Sequence, residues 1–287
     1  MLTQIHPLFP EQIPVLLDLF CGGCNVGINS NASLVIYNDV SSELIGLYKM
    51  FISLKPETII KRIDKLIDKY GFSRTELHSF AYYGGDNEKG VSVYNRNKYL
   101  SLRDDFNSLK KKNNDYYIML YTLILFGFNN QIRFNSKGEY NLPVGKRDFN
   151  RVIREKLLCF LRALQRQNCA FWNKDFRKIN LSKLEAGTFI YADPPYLIST
   201  ATYNEKNSWT EEDELDLLGY LKRADEMGYR FALSNVLQHK GMKNHILIKW
   251  IEENGYCVHH LNKNYSNSNY QIRERKSYTD EVLITNY

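Results

Sequence analysis

No hydrophobic run in the sequence reaches the roughly 18 residues that a helical membrane span needs. The opening residues, MLTQIHPLFPEQIP, lack the basic start and apolar stretch of a secretory signal. Cysteine is scarce: Cys21, Cys24, Cys159, Cys169 and Cys257 form an odd, scattered set. That excludes a disulfide framework and points to a reducing compartment. Cys21 and Cys24 make a lone C-x-x-C with no second pair at zinc spacing, so no zinc site is expected. His239, His245, His259 and His260 have no clustered acid at ligand spacing either, and no metal site is read. Internal repeats and low-complexity segments are absent. The charge excess is small, 38 Lys and Arg against 32 Asp and Glu, a mild bias toward an anionic partner. Aromatics are what the chain has in plenty, 21 Tyr and 15 Phe, more than a core of this size needs. Exposed aromatics in a basic protein are compatible with stacking on bases.

The 287 residues allow one large domain or two small ones, and 44% hydrophobic content excludes wholesale disorder. VLLDLF, residues 15–20, is a short apolar run that predicts a buried parallel strand. A small-residue turn, CGGCNVGIN, follows it, and SLVIYND, residues 33–39, predicts a second strand ending in an acid. Residues 41–54 begin with Ser and carry apolar residues at helical spacing. From about residue 55 to 170 apolar strands give way to amphipathic, Lys-, Asn- and Tyr-rich helices. Between two of these, residues 126–150 predict a long loop or β-hairpin carrying Arg133, Lys137, Lys146 and Arg147. The α/β pattern resumes near residue 171. GTFIYADPPY, residues 187–196, is a strand entering a proline turn, and residues 209–228 a helix capped by Thr210. YRFALSNV, a helix in NHILIKWIEENG, a strand over residues 256–266 and a last strand in TDEVLITNY complete the chain. The expected organisation is one sheet domain, residues 1–54 and 171–287, interrupted by a helical basic insertion, residues 55–170.

Three places carry chemistry. Asp18, Gly22, Gly23 and Asn25 lie at the end of the first strand, where a turn without side chains lets backbone N–H groups approach a ligand. A plain strand-to-helix turn is the other reading. Asp39 follows about 20 residues later, where an acid accepts ribose hydroxyls in a nucleotide-binding sheet, or caps a helix instead. Asp193-Pro194-Pro195-Tyr196 is the sharpest signal. It places a carboxylate, a backbone carbonyl and an aromatic face at the carboxyl end of a buried strand. Such a set can grip a planar base bearing an exocyclic amine.

On these residues the chain resembles the adenine-specific DNA methyltransferases of the Dam type, from bacteria and phages. DLFCGG is similar to their S-adenosyl-L-methionine loop, YND to their ribose-binding acid, and ADPPY to their catalytic motif. GFNNQIR…PVGKR, residues 127–147, is similar to the segment with which they read GATC. The likeness runs from residue 15 nearly to the end, in the same order of parts. It implies an α/β, Rossmann-like methyltransferase sheet with an inserted, mainly helical DNA-recognition domain. It also implies methyl transfer to adenine N6 in a short duplex DNA site, with the base flipped out.

In that reading Asp193, Pro194, Pro195 and Tyr196 are catalytic. Asp18, Phe20, Gly22, Gly23, Asn25, Asp39, Asp175, Phe176 and Asp193 bind the cofactor. Phe128, Asn129, Asn130, Arg133, Lys146 and Arg147 contact DNA. Arg133 and Arg147 are the candidates to grip guanine, and Lys110, Lys111 and Lys112 read as a solvated face or phosphate contacts. A cognate restriction endonuclease is an implied partner, and the bacterial cytoplasm or an infected host the implied location. One segment of the family is missing: an aromatic-Gly-Lys stretch before the cofactor loop. Seventeen residues precede Asp18, none is Gly or Lys, and the first Lys is Lys49. The chain reads as starting just past that stretch, with weaker cofactor binding as the consequence. The competing functions are a cofactor-poor, sequence-specific DNA-binding protein and a methyltransferase for another amine, such as cytosine N4, RNA adenine or a protein glutamine.

Overall fold

The computed structural model describes residues 1–86, 88–198, 209–262 and 279–287. The chain divides into two compact units, Met1–Ile45 with Gln167–Tyr287, and Gly46–Arg166. The strands are β1 (Val15–Asp18), β2 (Leu34–Asn38), β3 (Cys169–Trp172), β4 (Thr188–Ala192), β5 (Arg230–His239), β6 (Met242–Lys243), β7 (Cys257–Leu261) and β8 (Thr279–Thr285). The α-helices are α1 (Leu2–Ile5), α2 (Asn25–Ile28), α3 (Ser42–Ser53), α4 (Pro56–Tyr70), α5 (Ser92–Ser108), α6 (Asn114–Phe126), α7 (Arg151–Arg166), α8 (Glu211–Glu226) and α9 (His245–Asn254).

The first unit is a mixed α/β sheet in the order β3-β2-β1-β4-β5-β8-β7, with β6 paired to β5. Strands β3 to β5 run parallel, and β8 is antiparallel to both β5 and β7. Leu17 of β1 lies opposite Ile36 of β2 and Ile190 of β4. Strands β1 and β4 are buried along their whole length, so their sequence is a continuous apolar run and not an alternation. From β1 the chain winds outward through β2 to β3, then returns to β4 and winds the other way. The strand order therefore reverses between β1 and β4, and open α/β sheets bind ligands at the carboxyl edge of such a point.

Helix α8 has the Thr210 cap its sequence predicts, and the structure extends it to a capping box: the Asp213 N–H donates to Thr210 Oγ1 at 3.1 Å and the Thr210 N–H to the Asp213 carboxylate at 2.8 Å. Its Leu217, Leu218, Leu221 and Ala224 join Leu17, Ile190, Phe231 and Trp250 in one core. Each fully buried leucine contributes about 1.5–3 kcal/mol. Helix α9 starts at Asn244, whose side chain accepts from the Leu247 N–H at 3.1 Å, and stops at Gly255 with φ 66°. The expected strand over residues 256–266 is β7 as far as Leu261; residues 263–266 lie outside the described residues. Strand β3 has no counterpart among the expected elements.

The second unit is helical. Ile59, Ile63 and Ile67 of α4 are buried one above another at helical spacing, as are Leu157, Leu161 and Leu164 of α7. Pro56 opens α4 and Gly71 closes it with φ 71°. Arg74 and Arg154 share Asp64 and Glu76 at 2.8–3.3 Å. The compact unit starts nearer the N-terminus than the expected residue 55, because the aromatic residues of α3 belong to it: Phe51 packs edge-on against Tyr121 at 5.0 Å.

Candidate active site

Asp18, Asp39 and Asp193 stand at the carboxyl ends of β1, β2 and β4. Asp18 is buried, 2% exposed, and its carboxylate accepts the backbone N–H of Gly27 in α2. Burial first, then the charges of Asp193 and Asp39, push its carboxyl up to about 8. Asp39 is half-buried; its Oδ2 accepts the Gly22 N–H at 3.2 Å and its Oδ1 the Ser41 N–H at 2.8 Å. Burial raises its carboxyl, and those two donors offset part of the rise. Ser41 also caps α3 through its hydroxyl, which accepts the Leu44 N–H at 3.3 Å. Of the two, Asp39 holds the glycine turn and Ser41 caps the helix.

The turn itself is tight. The Cys24 N–H donates to the Cys21 carbonyl at 2.6 Å, Gly22 has φ 42°, and Asn25 begins α2. Gly23 and Asn25 are exposed, Gly22 and Phe20 partly so. Gly27, which sequence reasoning passed over, is required by packing: a Cβ there would sit 2.4 Å from the Tyr37 ring. Asn38 was also missed. Buried beside Asp39, it donates to the carbonyls of Leu19 and Lys174 at 3.0 Å each and accepts the Lys174 N–H at 3.2 Å, tying three strand ends together. Its only sequence signal is its place in YND.

After β4, Asp193 and Pro195 are exposed, Pro194 is buried and Tyr196 is half-buried. The Tyr196 hydroxyl donates to Asp193 Oδ1 at 3.0 Å. Burial and the Asp193 charge raise the Tyr196 phenol well above its ordinary range, so it stays a donor. Phe20 and Phe176 approach to 5.6 Å between ring centroids. Phe176 is buried, whereas Asp175 caps the short turn at Phe176–Lys178 and pairs with the Arg177 guanidinium at 3.2 Å.

In the second unit the expected long loop or β-hairpin over residues 126–150 is an antiparallel loop held by two single bridges, Gly127 with Val144 and Phe134 with Tyr140, and not by regular strands. Phe128, Asn129 and Asn130 form an exposed 3₁₀ turn; Asn129 and Asn130 have φ 53° and 54°. Asn130 Nδ2 donates to the Ile124 and Leu125 carbonyls at 2.9 and 3.2 Å, closing the end of α6. Arg133 is occupied too: Nε and Nη2 each donate to Asn141 at 3.0 Å, across the loop. Lys146 and Arg147 are exposed, and so are Lys110, Lys111 and Lys112 between α5 and α6. Among the described residues, no group of three or more His, Cys, Asp or Glu is placed to hold a metal ion, and no helix is long and apolar enough to cross a membrane.

Asp18 gives a stability prediction. Its carboxyl is raised in the folded chain, so folding keeps a proton that the unfolded chain gives up above about pH 4. The associated stability is present below that pH and is lost as pH rises toward about 8. Asp18→Asn removes the dependence and keeps an acceptor for the Gly27 N–H. The variant should therefore melt above the unsubstituted chain at pH 8, with the gap closing toward pH 4. Thermal melts across that range check it; a gap that does not change with pH would mean Asp18 is ionised throughout.

Fold and site together define a mixed α/β protein with a glycine turn and three acids at the carboxyl ends of β1, β2 and β4, around the reversal of its strand order. The chain belongs to the D12 class N6 adenine-specific DNA methyltransferase family, whose model matches residues 1–267. It is 38% identical over 293 residues to the Type II methyltransferase M.FokI of Planomicrobium okeanokoites, covering 100% of this chain and 41% of that protein. The Modification methylase StsI of Streptococcus sanguinis is 35% identical, with the same coverage of each chain. The DNA adenine methylase of Salmonella typhi is 27% identical over 189 residues, 66% of this chain and 58% of that one. The chain thus spans about two fifths of the length of the two more similar relatives, 41% in each case.

Proposed function

We propose that this chain, through a Rossmann-like methyltransferase sheet, transfers a methyl group from S-adenosyl-L-methionine to the N6 amine of an adenine flipped out of a short duplex DNA site. The observation that carries the reading is the cluster of Asp18, Asp39 and Asp193 beside the glycine turn, where burial first, and then the charges of Asp193 and Asp39, raise the Asp18 carboxyl. Such an excess of acid fits a cationic ligand with hydroxyls to be accepted. S-adenosyl-L-methionine has both, and supplies an electrophilic methyl on a sulfonium.

The chain's own residues position the other reactant. The adenine amine is a poor nucleophile because its lone pair is delocalised into the ring. Asp193 and the Pro194 carbonyl accept its two N–H bonds and turn the lone pair out of that conjugation. The Tyr196 hydroxyl orients the Asp193 carboxylate, and its ring offers the base a face to stack on. Asp18, Gly22, Gly23 and Asn25 shape the cofactor loop, with Phe20 and Phe176 against the cofactor's adenine.

Asp39 has two tasks. It braces Gly22 and Ser41, and each carboxylate oxygen keeps acceptor capacity for a ribose hydroxyl. Asp39→Ala should raise the cofactor's dissociation constant about tenfold or more, roughly 1.5–3 kcal/mol for charged hydrogen bonds. Isothermal titration showing unchanged affinity would remove Asp39 from the site.

Double-stranded DNA is the proposed partner of the second unit, through Phe128, Asn129, Lys146 and Arg147 with Arg133 and Asn130 as braces. The names of M.FokI, a Type II methyltransferase, and StsI, a modification methylase, support a modification enzyme; a restriction endonuclease acting on the same site is the partner proposed for it. Relatives named DNA adenine methylase match less of the chain, so GATC is the first sequence to test and not the premise. Incubating the chain with plasmid and methyl-labelled S-adenosyl-L-methionine, then identifying the labelled nucleoside, tests the reading. N6-methyladenine is expected. Label in N4-methylcytosine, or none in DNA, would overturn it.

A further inference from the structure

Glu214 of α8 is fully buried, at 0% exposure. A buried acid must have its hydrogen bonds satisfied, and the groups that meet this one are neutral donors. Trp209 Nε1 donates to Oε2 at 2.6 Å; Asn235 and Asn244 Nδ2 donate to Oε1 at 3.1 and 2.9 Å. With Oε1 fixed by two asparagine donors and Oε2 left to the indole, the direction of the Trp209 N–H is set. Its ring forms a triangle with the two aromatics assigned to the cofactor, lying 5.8 Å from Phe20 edge-on and 6.1 Å from Phe176. Phe20 and Trp209 are only partly buried, so the cluster keeps an open side. Arg177 fastens the arrangement from behind: beside Phe176, it pairs with Asp213 and Asp216 of α8 as well as Asp175.

We infer that Trp209 is the third wall of the pocket for the adenine ring of the cofactor, and that Glu214 is a positioning residue that sets its plane. The open side of the cluster is lined by Phe20 and Trp209, with Phe176 beneath them, and a planar heterocycle gains from contact with more than one aromatic surface. Asn235 of β5 and Asn244 at the start of α9 hold the far side of Glu214, so the wall is anchored to the sheet. The inference rests on the cofactor reading given above.

The test uses the full chain and two probes, S-adenosyl-L-methionine and S-adenosyl-L-homocysteine, titrated calorimetrically. Trp209→Ala should weaken both about tenfold or more, Trp209→Phe by only about threefold, since a smaller aromatic wall remains. Glu214→Gln keeps one acceptor oxygen in place of two and should fall between them. Emission is read in parallel. The chain has three tryptophans, so Trp172→Phe with Trp250→Phe leaves Trp209 as the sole reporter. Its emission should change on saturation with either probe. Unsubstituted chain that binds neither probe would overturn the cofactor reading and this inference with it. Unsubstituted chain that binds, with the Trp209 variants within twofold and a silent Trp209 emission, would overturn the inference alone. If Trp209→Ala does not fold, Trp209→Phe and the emission signal still decide.

Discussion

Replacing Asp193 with alanine should lower the methyl-transfer rate about a hundred- to thousandfold while leaving duplex affinity nearly unchanged. The reason lies in where the carboxylate stands. It is exposed, just beyond β4, and turned by the Tyr196 hydroxyl at 3.0 Å. A preorganised acceptor of this kind works on the reacting amine and not on the phosphates, which dominate DNA affinity. Each tenfold loss in rate corresponds to about 1.4 kcal/mol, so the expected loss is about 3–4 kcal/mol, more than an ordinary hydrogen bond supplies. Asp193→Asn separates two contributions. It keeps one oxygen acceptor and removes the charge, so an intermediate rate would assign part of the effect to charge. Tyr196→Phe should cost less, about tenfold, because the ring remains and only the orienting hydrogen bond of about 1–1.5 kcal/mol is lost. Single-turnover methyl transfer with duplex in excess, alongside equilibrium binding of the same duplex, measures both quantities. Near-normal turnover by Asp193→Ala would take the residue out of the reaction.

How much of this was legible follows from what buries each element. Strands β1 and β4 are covered on both faces, so VLLD and TFIYA announce themselves as apolar runs. Helix α8 carries its capping box in four consecutive residues. Strand β3 is short, at the sheet edge and half-exposed, and CAFW has neither the run nor the alternation that a covered strand imposes. The site shows the same division. Asp18, the glycine turn and Asp193 are local to a strand end, so their place in the fold could be read in advance. Glu214 could not: it sits among Glu211, Glu212 and Asp213 in a first turn that looks like a solvated acidic face. Its burial is set by Asn235 and Asn244, which lie 21 and 30 residues further along the chain. Arg133 and Asn130 are engaged within the loop for a related reason. Both lie within reach of backbone carbonyls that the loop would otherwise leave unpaired, and pairing of such groups takes precedence.

That distinction shapes the last expectation, which concerns sequence discrimination. Arg147→Ala should flatten the preference between cognate and single-mismatch duplexes by about 1–3 kcal/mol, the worth of one bidentate arginine–guanine contact. Arg147 is exposed and follows directly on Lys146, whose carbonyl accepts the Val91 N–H at 3.1 Å. The next residue, Asp148, is buried and accepts from the hydroxyls of Ser73 and Thr75 at 2.9 and 2.6 Å. The guanidinium is thus carried on a fixed backbone, as base readout requires. Arg133 begins from a different position. Releasing it for a base would break its two bonds to Asn141, so Arg133→Ala should loosen the loop and weaken cognate and mismatched duplexes together. Lys111→Ala should also weaken all duplexes alike, and lower the salt slope by about one unit, as expected for one lost phosphate contact. Binding is measured on a panel of duplexes changed one base at a time, at two salt concentrations. If Arg147→Ala lost affinity evenly across the panel while Arg133→Ala lost it at one base pair, the brace and the reader would exchange roles, and the Arg133–Asn141 bonds would be a resting arrangement that the cognate site displaces.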